Sequence, residues 1–170
     1  MQSESARVTT AEQSRFRIND PNAKPRAVKV IALDRKAEPV VKRLSELKWN
    51  GATFFTACAF AAQPQAGKDF SMTGWLADLA GRSRDLVNEV NAADLVVMVA
   101  TAGESAAATS IIGEACSIKR VMTTGLIVGG ATASDDALSK TLSQLRPWSL
   151  MLVIANADDY IEDMLTALRA

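Results

Sequence analysis

Asp34, Cys58 and the run Thr101-Ala102-Gly103-Glu104-Ser105 stand out first, because each follows an apolar stretch of strand-forming length. An aspartate closing a first strand is the position of a phospho-acceptor in receiver domains. Such domains also want an acid at the end of the central strand and a lysine at the end of the last. Thr101 and Ala155 hold those places here, and receiver chemistry is excluded. Cys58 could serve as a nucleophile, but the chain has no His to activate it. Phe60 and the nearby alanines would raise a thiol pKa rather than lower it, so burial is the expectation for Cys58. The lack of His also removes His-based triads and the commonest metal ligand. Asp158, Asp159, Glu162 and Asp163 could hold a cation. They sit at a helix start, however, where carboxylates complement the macrodipole and face water, so no metal site is assigned. Gly129-Gly130 follows a strand and could let a ligand approach the backbone, or simply form a tight loop before Ser134. No Gly-x-Gly-x-x-Gly or Walker A pattern occurs.

The totals bound the function further. With 170 residues the chain has room for one domain and a continuous core. Hydrophobic residues make up 48% and aromatics 5%, so the core must be aliphatic. Lys and Arg number 19 against 19 Asp and Glu, which removes the basic field expected of a nucleic-acid binder. No apolar run reaches the roughly 18 residues of a membrane span, and the first residues do not form a signal peptide. Two cysteines in apolar segments, Cys58 and Cys116, fit free thiols in a reducing, cytoplasmic setting.

Residues 1–26 are polar and unpatterned and read as a flexible tail, leaving 27–170 as one domain. From Ala27 the chain alternates. Strands are expected over 27–33, 52–58, 94–100, 121–128 and 150–154. Between them, helices are marked by Val40, Val41 and Leu44 with Pro39 in the first turn, by Ile111, Ile112 and Ala115, and by Leu138, Leu142 and Leu145 behind a Ser134 cap. A loose connection is expected over 59–74. Beyond it, Trp75, Leu76 and Leu79, then Leu86, Val87 and Val90, read as helical with Gly81 as a break. Ile161, Met164, Leu165 and Leu168 mark a last helix, capped by Asn156. Such alternation predicts an α/β fold: three layers, Rossmann-like and doubly wound, on a mainly parallel five-stranded sheet. Ligands in such folds lie beyond the carboxyl ends of the strands, where the strand order reverses.

Several segments, taken in order, resemble the FtsZ/tubulin GTPase domain. Gly51-Ala52-Thr53-Phe54-Phe55 resembles its second strand, and Arg84-Asp85 through Asp94-Leu95-Val96 the helix entering its central strand. Thr101-Ala102-Gly103 stands where that family has Thr-Ala-Gly before its signature loop. Leu150 to Asn156 resembles a strand and turn near the end of its GTPase domain. The departures fall on the phosphate loops. Asp34-Arg35-Lys36-Ala37 replaces a glycine-rich turn, and Glu104-Ser105-Ala106-Ala107-Ala108-Thr109 replaces a run of glycines and threonines. Without glycine, backbone N–H groups cannot converge freely on an anion. Alanines there favour extension of the helix, and Glu104 would repel a triphosphate. The resemblance thus implies a non-catalytic relative with no cofactor, acting as a scaffold or adaptor through a protein partner or a homo-oligomer. The alternative is an enzyme or sensor that holds a small anionic or nucleotide-like ligand at Thr101, Gly103, Ser105 and Gly129. Trp49, Trp75 and Trp148 each adjoin an element end, where they seal a core rim or form a docking surface.

Overall fold

The longest strand is β5 (Leu95–Thr101), and its first six residues are all buried. That unbroken run of Leu, Val, Met and Ala has no polar face, so both sides must be covered. The computed structural model, which describes residues 24–61, 75–156 and 158–170, covers them with two separate cores. Val96, Met98 and Ala100 point into one, and Leu95, Val97 and Val99 into the other. At about 1.5–3 kcal/mol for each large side chain fully buried, this strand anchors both layers.

Around it lie β1 (Val28–Ala32), β2 (Ala52–Thr56), β6 (Met122–Val128) and β7 (Met151–Ala155), all parallel. Two short strands, β3 (Leu76–Asp78) and β4 (Ser83–Arg84), complete a seven-stranded sheet in the order β4-β3-β2-β1-β5-β6-β7. The chain moves outward from β1 to β2, then returns to build β5, β6 and β7 on the other side. The helices follow the same division. α1 (Glu38–Ser45) and α6 (Asp158–Ala167) cover one face through Val41, Leu44, Ile161 and Leu165. On the other face, α3 (Leu86–Asn91), α4 (Ala108–Lys119) and α5 (Asp135–Leu145) contribute Leu86, Val90, Ile112 and Leu145. A one-turn helix, α2 (Cys58–Ala61), follows β2.

The Rossmann-like α/β class and the five parallel strands agree with the sequence, as do Pro39 in the first turn of α1 and the Ser134 cap, whose Oγ accepts from the Ala137 N–H at 3.3 Å. Three expectations need correction. Among the described residues the sheet has seven strands, and residues 76–84 form an antiparallel hairpin where a helix was expected. Asp78 decides this locally. Its carboxylate accepts from the N–H groups of Ala80 and Arg82 and from Arg82 Nε, closing a turn in which Gly81 has φ +80°. The run of alanines also extends α4 less than expected, since Ala106 and Ala107 precede its first residue. Most of the N-terminal tail and residues 62–74 lie outside the described residues, and the Asn156 cap adjoins residue 157, which does too. No helix among the described residues is long and apolar enough to cross a membrane.

Candidate functional site

The strand order reverses between β1 and β5, so the crevice of a doubly wound sheet opens where those strands end. Asp34 lies at the end of β1 and is 8% exposed. Its carboxylate is hydrogen-bonded to both strand ends. Oδ1 accepts from the N–H groups of Lys36 and Ala37, each at 2.9 Å, and from the Thr101 hydroxyl at 3.0 Å. Oδ2 accepts from the Thr101 N–H at 2.7 Å. Two donors therefore come from the turn entering α1, and two from the residue that ends β5. A bound phosphate would draw on the same kinds of donor: backbone N–H groups at a helix entrance and a hydroxyl. Here one of the chain's own carboxylates takes them all.

A second bridge spans the same mouth. Lys36 Nζ pairs with Glu104 Oε1 at 2.5 Å, which ties the β1 turn to the β5 turn. The hydrogen bond to Glu104, with its charge, raises the Lys36 pKa. Both side chains are well exposed, so the pair contributes little stability.

Thr101, Gly103 and Gly129 do come together at this end of the sheet. Gly103 and Gly129 have φ of +88° and +74°, left-handed conformations that suit glycine. The Gly103 N–H donates to Thr141 Oγ1 at 2.9 Å. That hydroxyl is fully buried and lies 3.4 Å from the carbonyls of Glu104 and Ala137. The Ala106 N–H donates to Gln144 Oε1 at 2.7 Å. α5 thus satisfies the β5–α4 loop with its own side chains. Ser105 is exposed at the loop's tip. A methyl group on Gly129 would approach only the Thr101 methyl, at 3.9 Å, which places these two residues side by side.

Cys116 is buried, whereas Cys58 is only part-buried, short of the burial expected for it. Burial pushes Cys58 and Cys116 up to about 12; at Cys58 the Glu38 carboxylate adds to the effect and Thr56 opposes it. The three tryptophans lie at core rims. Trp75 is buried, while Trp49 and Trp148 are partly buried against the two cores. Among the described residues no group of three or more acids or cysteines is placed to hold a metal. The side chains of Asp158 and Asp159 lie outside that description.

The role of Asp34 escaped the sequence reading, which considered it only as a phospho-acceptor. Part of the signal was present. An aspartate two and three residues before free N–H groups at a helix entrance is an Asx-turn former. Its partner Thr101, 67 residues away, had no local signature.

No family model matches the chain, and no curated protein matches its sequence. Solved structures do. Translation elongation factor SelB from Methanococcus maripaludis, in complex with the GTP analogue GppNHp, has a TM-score of 0.52 at 10% identity over 88% of this chain and 34% of that one. The apo form of the same factor gives a TM-score of 0.47 at 11% identity, over 85% of this chain and 36% of that one. This chain therefore spans about a third of the protein it resembles. At such identity the likeness is one of fold. It supports the α/β fold, and neither structure is an FtsZ or a tubulin.

Proposed function

We propose that this chain is a Rossmann-like domain that has given up phosphate chemistry and acts as a non-catalytic scaffold or adaptor, through a protein partner or a second copy of itself. The observation that carries this reading is the Asp34 carboxylate bound to four donors at the strand-order reversal. A nucleotide would have to displace a buried, four-fold hydrogen-bonded anion and then pass Glu104. The cost of both steps falls on the ligand. Descent from the FtsZ/tubulin group rests only on the collinear segments of the sequence, and the scaffold reading does not require it.

Protein contact has its own support in the outer strand. β7 contains no charged residue, and Leu150, Met151 and Ile154 around it are 79%, 39% and 40% exposed. An apolar strand at a sheet edge, lacking the charges that usually protect one, favours pairing with another chain.

Isothermal titration with GTP, GDP and ATP, each with Mg²⁺, tests the central claim. The expected result is no binding heat and no hydrolysis. Micromolar affinity or measurable turnover would overturn it and favour the alternative of an anionic ligand at Thr101, Gly103, Ser105 and Gly129.

A further inference from the structure

β7 is open on one side. Among the described residues its one strand neighbour is β6, so alternate backbone groups of β7 face outward. Which groups these are follows from the hydrogen-bond phase of the sheet. In a strand the N–H and C=O of one residue point to the same side, and successive residues alternate. The Ala102 N–H donates to the Val128 carbonyl at 3.0 Å, so Val128 turns toward β5. Ile127, Gly125 and Thr123 therefore turn toward β7, and the Thr123 carbonyl does accept there, from the Leu150 N–H at 3.1 Å. Gly125 stands opposite Leu152, and Ile127 opposite Ile154. A residue in a parallel ladder bonds the two neighbours of the residue it faces. Met151, Val153 and Ala155 are thereby tied to β6, while Leu152 and Ile154 present free N–H and C=O groups at the edge.

Those two residues lie one on each side of Val153. A second β7 running antiparallel, with Val153 against Val153 on a two-fold axis, sets Leu152 opposite the partner's Ile154, and Ile154 opposite the partner's Leu152. Every free group of both residues then pairs. Moving the axis to Leu152 would call on the Leu150 N–H, which Thr123 already holds. Moving it to Ile154 would call on Asn156, beyond the end of the strand. Val153 is the centre that β7 can satisfy by itself.

The side chains agree with this register. Leu152 packs against the core on one face of the sheet, and Ile154 on the same face is 40% exposed. The pairing sets each directly beside the other, apolar on apolar. Residues 149–156 also carry no charge. A strand that pairs with itself sets each of its charges near an identical one, whereas a foreign strand can offer the opposite sign. Neutrality along the whole edge therefore fits a second copy of the same strand.

We infer that two copies of this chain associate through β7, antiparallel and centred on Val153. The inference rests on the scaffold reading and names its partner. The interface is short, so the association is weak and reversible, with a micromolar Kd.

The test uses the full chain. Sedimentation equilibrium should give a mass that rises with concentration from 18.1 kDa toward twice that value. Ile154→Pro removes one outward N–H and no bond to β6, so circular dichroism should show the fold kept and association weakened at least tenfold. Val153→Cys reads the register. Facing residues that share no hydrogen bonds stand about 4.5 Å apart at Cα, within reach of a disulfide. Under mild oxidation Val153→Cys should cross-link into a dimer, while the wild type and Leu152→Cys should not. A monomer at every concentration, cross-linking of Leu152→Cys in place of Val153→Cys, or undiminished association of a folded Ile154→Pro would each overturn the proposal. A monomer that also binds no nucleotide leaves the scaffold reading standing with a different partner. Nucleotide affinity defeats that reading whether or not the chain dimerises.

Discussion

Replacing Asp34 by Ala removes one carboxylate and leaves four donors facing one another. Of these, the Ala37 N–H is buried, and losing its acceptor costs about 1–3 kcal/mol. The Lys36 N–H, the Thr101 N–H and the Thr101 hydroxyl are part-buried, so water can reach them once the side chain is gone. At roughly 0.5 kcal/mol each they bring the total to about 3 kcal/mol. For a chain of this size that lowers Tm by roughly 6–12 °C. Asp34→Asn should lose about half as much, because its oxygen can still serve the Oδ1 partners while its NH₂ faces the Thr101 N–H. The decisive measurement is rescue. If Asp34 fills an anion cradle, the Ala variant has an empty one. Inorganic phosphate or sulfate should then raise its Tm more than that of the wild type. At tenfold its Kd the anion restores about 1.4 kcal/mol. Thermal unfolding monitored by circular dichroism across a phosphate series, with chloride at matched ionic strength as control, reads this out. An Asp34→Ala Tm within about 2 °C of wild type, or an equal phosphate response in both proteins, refutes the account.

Four further outcomes follow from the same structure. Thr141→Val keeps the shape but strips the acceptor from the Gly103 N–H, and urea unfolding should show a loss of about 1–2 kcal/mol. Lys29 and Glu89 form a 3.0 Å ion pair, 12% and 21% exposed, between β1 and α3. Glu89→Gln should cost about 1–2 kcal/mol, with the Lys29→Met, Glu89→Leu double variant recovering most of it, in a denaturant double-mutant cycle. Because the folded chain holds both thiols up near 12 against an ordinary 9, their contribution is complete below about pH 9. It declines as pH rises from there toward 12; the native protein at pH 8 should resist alkylation by iodoacetamide, with both cysteines reacting in denaturant. Met151→Lys with Ile154→Lys should change stability by less than about 0.5 kcal/mol, since both positions are already well exposed. The same pair should abolish any self-association seen by analytical ultracentrifugation.

What could be read from the sequence followed from how far each determining contact lay along the chain. β5 was plain because seven consecutive residues without a charge admit few other structures. α1 and α5 were plain because Pro39 and Ser134 act within one turn of themselves. The hairpin at 76–84 was not. Trp75, Leu76 and Leu79 match a helical spacing, and strands of three and two residues are too short to show alternation. The local signal was Asp78 followed at the third position by Gly81, a type I turn pattern that the apolar spacing obscured. At the candidate site, the absence of glycine from residues 34–37 and 104–109 was legible. What replaced it was not, because the Asp34–Thr101 bond exists only after β1 and β5 lie side by side. The close seats of Trp148 on Gly113 and of Ser149 on Gly125 were hidden for the same reason: both glycines look like ordinary weak points until the residues stacked on them are known.

The two edges of the sheet are unequal, and that limits assembly. β4 is two residues long, exposed, and carries Arg84 beside the Asp78 carboxylate at 3.6 Å, which blunts it against further pairing. β7 has no such guard. Pairing through β7 therefore gives each molecule a valency of one. Two copies joined across a two-fold axis would make a single continuous sheet with a guarded β4 at both ends, and growth would stop there. A body that joins once and then presents only closed ends cannot by strand pairing alone become the repeating unit of a filament.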